Sequence, residues 1–335
     1  MLLIILLSLL FSSAMGQQID AVAQIHVGPG TEDMVLDTFD GQHRLLISCN
    51  QRRKGLPHFG EIVSFDLNSS QKDTLERVNE PKGFSFNPHG IDLVKNSSGE
   101  LLLYVVNHSP IADAKVKQNS IMLYRVDKDR LTFQQQYLDG SLISPNDVTA
   151  SPKGWIYATN DSKHRKIGFS WLMERMFKVR SSTIAFYDPD AKKWAKQKVH
   201  LAYANGIALT GDTLLVAATQ RKHLVKFDVS NGGLQEMKRW KIADGLDNIS
   251  LADSRHVLIA AHPKAGKFIK HAKNASALSP GIIYGVDLTN GNTSIIYTTN
   301  GKAISGNSVA LFANEAIFVG QVFEDHILKL NIPKK

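Results

Sequence analysis

One cysteine in 335 residues excludes an intramolecular disulfide, so a chain of this size must rely on its core for stability. No apolar run reaches the ~20 residues that a transmembrane helix needs. Leu2 to Leu10 is uncharged and apolar, and the small residues Ala14 and Gly16 suit signal-peptidase cleavage before Gln17. Residues 1–16 therefore read as a secretory signal. Only the free amino terminus supplies positive charge ahead of this run, which leaves retention as an uncleaved membrane-surface anchor as the alternative. No G-x-S-x-G elbow, H-E-x-x-H helix, P-loop or dinucleotide fingerprint occurs, so serine-hydrolase, zinc-protease and nucleotide readings have no motif behind them. The formal charge of +8 permits contact with anionic surfaces. The basic residues are scattered, however, with no basic helix or aromatic ladder, which argues against nucleic acid as a partner. Sustained helical periodicity is confined to Ile167 to Val179, with Phe169, Trp171, Leu172, Met173, Met176 and Phe177. It is expected to form a cap packed on one face of the fold.

What the chain has instead is repetition. Six times a polar pair is followed by an apolar, strand-like residue: Glu32-Asp33-Met34, His89-Gly90-Ile91, Asn146-Asp147-Val148, Asn205-Gly206-Ile207, Asp247-Asn248-Ile249 and Asn307-Ser308-Val309. The steps between first members are 57, 57, 59, 42 and 60 residues, the mark of a repeat architecture. Behind each pair come further strand signals, for example Leu101 to Val106 then Ser120 to Val126, and Leu214 to Ala217 then His223 to Val229. Turn punctuation such as Ser98-Gly99, Lys153-Gly154 and Gly211-Asp212 separates them. A fourth, more polar strand follows in most units, as at Phe133 to Leu138 and Glu236 to Ile242. Three or four antiparallel strands, six times over, predict an all-β six-bladed β-propeller over residues 17–335. Ala21 to Val27 is expected to close the ring by pairing with the last blade, because both termini would otherwise expose strand edges.

In such a fold the pair opening each inner strand faces the central channel. Glu32, Asn146, Asn205, Asp247 and Asn248 then converge as carboxylate and carboxamide donors, which suits calcium, an ion that takes six to eight oxygen ligands in irregular geometry. Open coordination positions would make such an ion catalytic. Successive side chains on a strand alternate in direction, so Asp33 and Asp147 turn away and, with a backbone carbonyl near Ile91, could hold a second, structural calcium. His89 occupies the ring position that a ligand fills in four other blades, and His108 ends the next strand of the same blade. Together they could activate water. His262 and Asn307 are assigned to the substrate-pocket wall. Each position has an alternative, since Asp, Asn and Gly are also common in turns, but six in register are harder to explain that way.

Seven Asn-x-Ser/Thr sequons occur. Asn68, Asn96 and Asn292 lie in turn-like polar stretches and are the glycosylation candidates, while Asn107 and Asn248 are expected to be buried.

Thr31-Glu32-Asp33, Phe84 to Ile91 (Phe-Ser-Phe-Asn-Pro-His-Gly-Ile), Tyr104-Val105-Val106-Asn107-His108, Asn146-Asp147-Val148, Ala204-Asn205-Gly206-Ile207, Asp247-Asn248-Ile249-Ser250 and Ala261-His262-Pro263 resemble the paraoxonases, a family of calcium-dependent lactonases and arylesterases. By that resemblance Glu32, Asn146, Asn205, Asp247 and Asn248 match the catalytic-calcium ligands. Asp33, Asp147 and the Ile91 carbonyl match the structural site, giving two calcium ions, and His89 with His108 matches the histidine dyad. The resemblance implies a secreted carboxylic ester hydrolase acting on small lactones or esters, with a signal segment that can be retained at a membrane or lipoprotein surface. Mammalian members join their termini by a disulfide, which a chain with only Cys49 cannot form. Two other readings are a non-enzymatic, membrane-associated paraoxonase-like chaperone, and a gluconolactonase-like or strictosidine-synthase-like propeller enzyme.

Overall fold

The computed structural model describes residues 21–83, 85–109, 118–243 and 245–332; the signal segment lies outside them. They form a six-bladed β-propeller. The first blade runs outward through Thr31–Asp37, Arg44–Asn50, Gly60–Asp66 and Lys72–Thr74. The second uses Pro88–Lys95, Leu101–Ser109, Gln118–Val126 and Arg130–Tyr137. A fifth strand there, Glu76–Val78, pairs in parallel with Arg130–Tyr137, an addition the repeat pattern does not announce. The inner strands of the remaining blades are Pro145–Ala150, Ala202–Thr210, Leu246–Leu251 and Asn307–Ala313. The ring closes as expected: Ala21–His26 pairs antiparallel with His326–Asn331 of the sixth blade.

Strand alternation builds the core. Successive side chains on a strand face opposite neighbours, so Leu45 and Ile47 pack toward the sixth blade while Leu46 packs toward the second. Val257, Ile259 and Ala261 likewise face the fourth blade, and Leu258 and Ala260 the sixth. Six apolar clusters result, one between each pair of consecutive blades. Cys49 is fully buried in the cluster joining the first and sixth blades. Asn107 and Asn248 are buried, and Asn68 and Asn292 are exposed.

Among the described residues two helices interrupt the blades. The first, α1, spans Phe169–Met176 within the third blade, inside the stretch read as helical. A polar residue, rather than its apolar ones, packs it against the blade. Glu174 is its buried residue, held by the hydroxyls of Ser162 and Ser181, while Phe169, Leu172, Met176 and Phe177 face outward. The second, α2, spans Ala265–Lys273 in the fifth blade. It escaped the sequence reading because it is short and its apolar residues alternate with Lys267, Lys270 and Lys273. Among the described residues no helix is long and apolar enough to cross a membrane.

Candidate metal centre and active site

Each inner strand breaks register with its neighbour at its polar pair. The irregularities fall between Thr31 and Asp33, Pro88 and Ile91, Pro145 and Val148, Ala204 and Ile207, Leu246 and Ile249, and Asn307 and Val309. A bulge inserts an unpaired residue and re-aims its side chain, so six bulges in register turn six polar pairs into the channel together. The small second members allow this crowding. A Cβ on Gly206 would lie 2.5 Å from the Asp247 carbonyl oxygen, and one on Gly90 would lie 2.5 Å from the Asp147 Cα.

Glu32, only 2% exposed, is the hub. Its Oε2 accepts from His89 Nδ1 at 2.7 Å and lies 3.9 Å from Arg52 Nη2. Asn248 Nδ2 and the Ser308 hydroxyl donate to its backbone carbonyl at 3.1 and 2.6 Å. Burial pushes the Glu32 carboxyl up, but the His89 contact and the Arg52 charge outweigh it and hold the group below its ordinary value. On the far side of the ring Asn205 Nδ2 donates to Asp247 Oδ1 at 2.5 Å, and His262 Nε2 meets Asp247 Oδ2 at 2.6 Å. Burial raises Asp247 despite that partner.

The amide oxygens carry the chemical argument. With their NH2 groups engaged, Asn205 and Asn248 keep side-chain oxygens that are buried and accept no hydrogen bond among the described residues, and Asn146 Oδ1 is in the same state. A buried polar atom without a partner costs about 1–3 kcal/mol, and three in one ring beside two carboxylates form an oxygen donor set that fits a hard divalent cation. A second pair lies next to it along the channel. Asp33 accepts from the Met34 and Ile91 amides, and Asp147 from the Val148 and Ile207 amides, at 2.8–2.9 Å. Burial first, then the neighbouring carboxylates, pushes both acids well above the ordinary range. Two desolvated like charges are what a shared cation would relieve. Both face a second channel space of about 270 Å³, lined also by Ile91.

On the other side the ring opens into a cavity of about 390 Å³ lined by His89, His108 and Asn146. The two imidazoles meet edge to face with centroids 4.6 Å apart. His108 Nε2 lies 2.7 Å from the Pro145 carbonyl; a carbonyl only accepts, so this nitrogen carries the proton. By the same reasoning His89 Nδ1 carries its proton and donates it to the Glu32 carboxylate, leaving Nε2 as the lone-pair nitrogen. The remaining wall includes Arg52, Asp161, Trp171, Arg175 and Tyr203, none of which the repeat pattern singles out. Arg175 pairs with Asp161 at 3.0 Å and stacks on Tyr203 at 3.5 Å from the ring centroid.

Neither His262 nor Asn307 lines that cavity. His262 is buried between Asp247 and Phe268 of α2, with ring centroids 4.1 Å apart. Asn307 donates to the Ile282 carbonyl at 3.1 Å, and its oxygen occupies the space a Cβ on Gly281 would need. It ties the sixth blade to the fifth.

The family model for arylesterases matches residues 55–329. The chain belongs to the arylesterase family. It is 26% identical over 275 residues to a Bos taurus serum paraoxonase/arylesterase 2, covering 79% of this chain and 75% of the relative. It is also 26% identical over 295 residues to a Homo sapiens serum paraoxonase/lactonase 3, covering 83% and 80%. Among solved structures, a calcium-binding regucalcin of Agrobacterium tumefaciens superposes with TM-score 0.57 at 14% identity, covering 95% of this chain and 96% of that one. A Xanthomonas campestris gluconolactonase gives 0.53 at 16%, covering 94% and 88%. At such identities these structures speak for the propeller fold of this arylesterase-family chain alone.

Proposed function

We propose that this member of the arylesterase family is a calcium-dependent hydrolase of lactones and aryl esters. The observation that carries the reading is three unpartnered carboxamide oxygens beside Glu32 and Asp247, at the base of a cavity walled by two histidines. Glu32, Asn146, Asn205, Asp247 and Asn248 would hold a catalytic calcium, and Asp33, Asp147 and the Ile91 carbonyl a structural one. When bound, calcium supplies positive charge where the substrate carbonyl oxygen becomes negative. His89 Nε2 takes a proton from water, whose oxygen adds to the carbonyl carbon. The carbon–oxygen bond to the leaving alcohol then breaks, and the proton returns to that oxygen. Glu32 orients His89 through Nδ1, and His108, fixed by Pro145, supports it from the side. His262 steadies Asp247 through its hydrogen bond. The relatives named paraoxonase/arylesterase and paraoxonase/lactonase support the substrate class.

Export, followed by attachment to a membrane or lipoprotein surface, fits the N-terminal apolar run and the outward-facing Phe169, Leu172, Met176 and Phe177. Asn68, Asn96 and Asn292 are the sequons proposed to carry glycan. The deciding experiment is a screen of lactones and aryl esters on calcium-loaded protein. Turnover that disappears on chelation and returns with calcium supports the reading; turnover unchanged after the metal is demonstrably stripped overturns it.

A further inference from the structure

The strand that closes the ring ends in a cluster the channel chemistry does not use. His26, the last residue of the closing strand, stands directly across from His326 in the sixth blade. Asp325 precedes His326, and its backbone carbonyl is fixed by the Val27 and Gly28 amides at 2.9 and 3.2 Å. From this anchored position the Asp325 carboxylate reaches both rings: Oδ1 lies 3.0 Å from His26 Nδ1 and 3.7 Å from His326 Nδ1. One ligand atom from each residue lies within 4.8 Å of those of the other two.

We propose that His26, Asp325 and His326 bind a divalent transition metal, zinc being the best match, and that the ion clips the first strand to the last blade. Two imidazole nitrogens, a carboxylate oxygen and an open fourth position form a recurrent zinc donor set. Zinc–ligand bonds of about 2.0–2.1 Å place tetrahedral ligands about 3.3 Å apart, so the observed spacing closes with small side-chain rotations. His326 is already oriented as a ligand. Its Nε2 faces the Ala303 carbonyl at 3.3 Å, which puts the proton there and leaves Nδ1 for the metal, the outer-shell arrangement that metal-bound histidines favour. His26 and Asp325 are 62% and 61% exposed at the side chain, so an ion can enter from solvent. The location gives the site its use. Closure here rests on one short strand, and a single cysteine cannot form an intramolecular disulfide, so a metal bridging His26 to Asp325 and His326 supplies the cross-link that a disulfide cannot.

Zinc should be titrated into full-length, calcium-saturated protein, with binding followed calorimetrically and the closing strand by amide hydrogen exchange. One equivalent should bind, exchange over residues 21–26 should slow, and the melting temperature should rise by about 4 °C at about 100 times the dissociation constant. His26→Ala and Asp325→Asn alter exposed side chains and should fold normally. Because even outer-shell changes weaken metal sites by about tenfold or more, each should lose at least that much zinc affinity together with the exchange protection. Zinc affinity retained by both variants, or saturating zinc that leaves exchange over 21–26 unchanged, would overturn the clip and leave an exposed ion pair only.

Discussion

Glu32 and His89 meet across the first two blades at 2.7 Å, and this contact joins the candidate metal ring to the candidate base. Replacing His89 by Gln keeps a polar group of similar reach but removes a nitrogen able to accept a proton near neutral pH. General-base contributions run to about 10²–10⁴-fold, so kcat on a simple lactone should fall in that range, and by more than calcium affinity falls. Steady-state kinetics beside a calcium titration separate the two. Equal turnover in His89→Gln would remove the imidazole from the mechanism.

Gly206 tests the packing that brings the ring together. The Asp247 carbonyl oxygen would stand 2.5 Å from an added Cβ, and the Asn248 Cα 2.7 Å; both are strand backbone that cannot swing aside. Overpacking of this kind typically costs about 1–3 kcal/mol. Gly206→Ala should lower the urea midpoint accordingly and weaken calcium binding, because the displaced strand carries Asp247 and Asn248. A variant with the wild-type midpoint and affinity would show that the fourth and fifth blades are not held this tightly.

What the sequence made legible was whatever repeats. Each blade must deliver one polar pair to the axis, so Glu32, Asn146, Asn205, Asp247 and Asn248 stand in register and can be counted from the chain alone. The bulges that aim them could not be foreseen from strict alternation, since a bulge is a local departure from it. The cavity wall was illegible for a different reason. Arg52, Asp161 and Arg175 come from connections of unequal length, and no period relates them. Tyr203, the second residue of the fourth blade's inner strand, adopts φ of +60°, a backbone choice with no signal in residue type. Helix α1 misled through composition: its apolar residues were expected to pack, yet Glu174 and the serines around it hold the segment. Asn307 stands in register with the ring and serves as an inter-blade tie, so register alone does not assign a role.

Arg53 grips Glu324 with both guanidinium arms, Nη1 to Oε2 at 2.9 Å and Nη2 to Oε1 at 3.0 Å, and also donates to the His271 carbonyl of α2 at 3.1 Å. One side chain thus links the first, fifth and sixth blades. Burial raises the Glu324 carboxyl, but the bonds and charges of His271 and Arg53 outweigh it and leave the group below its ordinary value of 4.5. A folded pKa below the unfolded one gives stabilisation that is complete above the unfolded value and lost as pH falls through the folded one. Glu324→Gln should therefore be less stable than wild type at about pH 6, and the gap in urea midpoint should shrink toward about pH 3. A gap that stays constant over that range would mean the charge on Glu324 contributes nothing.

The segment around α1 presents Phe169, Leu172, Met176 and Phe177 at 54–78% exposure, beside a cavity that Trp171 and Arg175 help to wall. Apolar groups clustered this way on one exposed segment mark a surface for another apolar phase, and the proposed site of action is a lipid surface. Protein lacking residues 1–16 should co-sediment with phosphatidylcholine vesicles, and a Phe169→Ser, Phe177→Ser variant should lose most of that binding. Neither side chain contributes to the blade clusters, so the melting temperature should stay within about 2 °C of wild type. If the segment serves substrate access as well, vesicles should alter KM for a long-chain lactone in the wild type and leave it unchanged in the variant. Equal vesicle binding by both proteins would assign any attachment to other surfaces and leave α1 as a wall of the cavity alone.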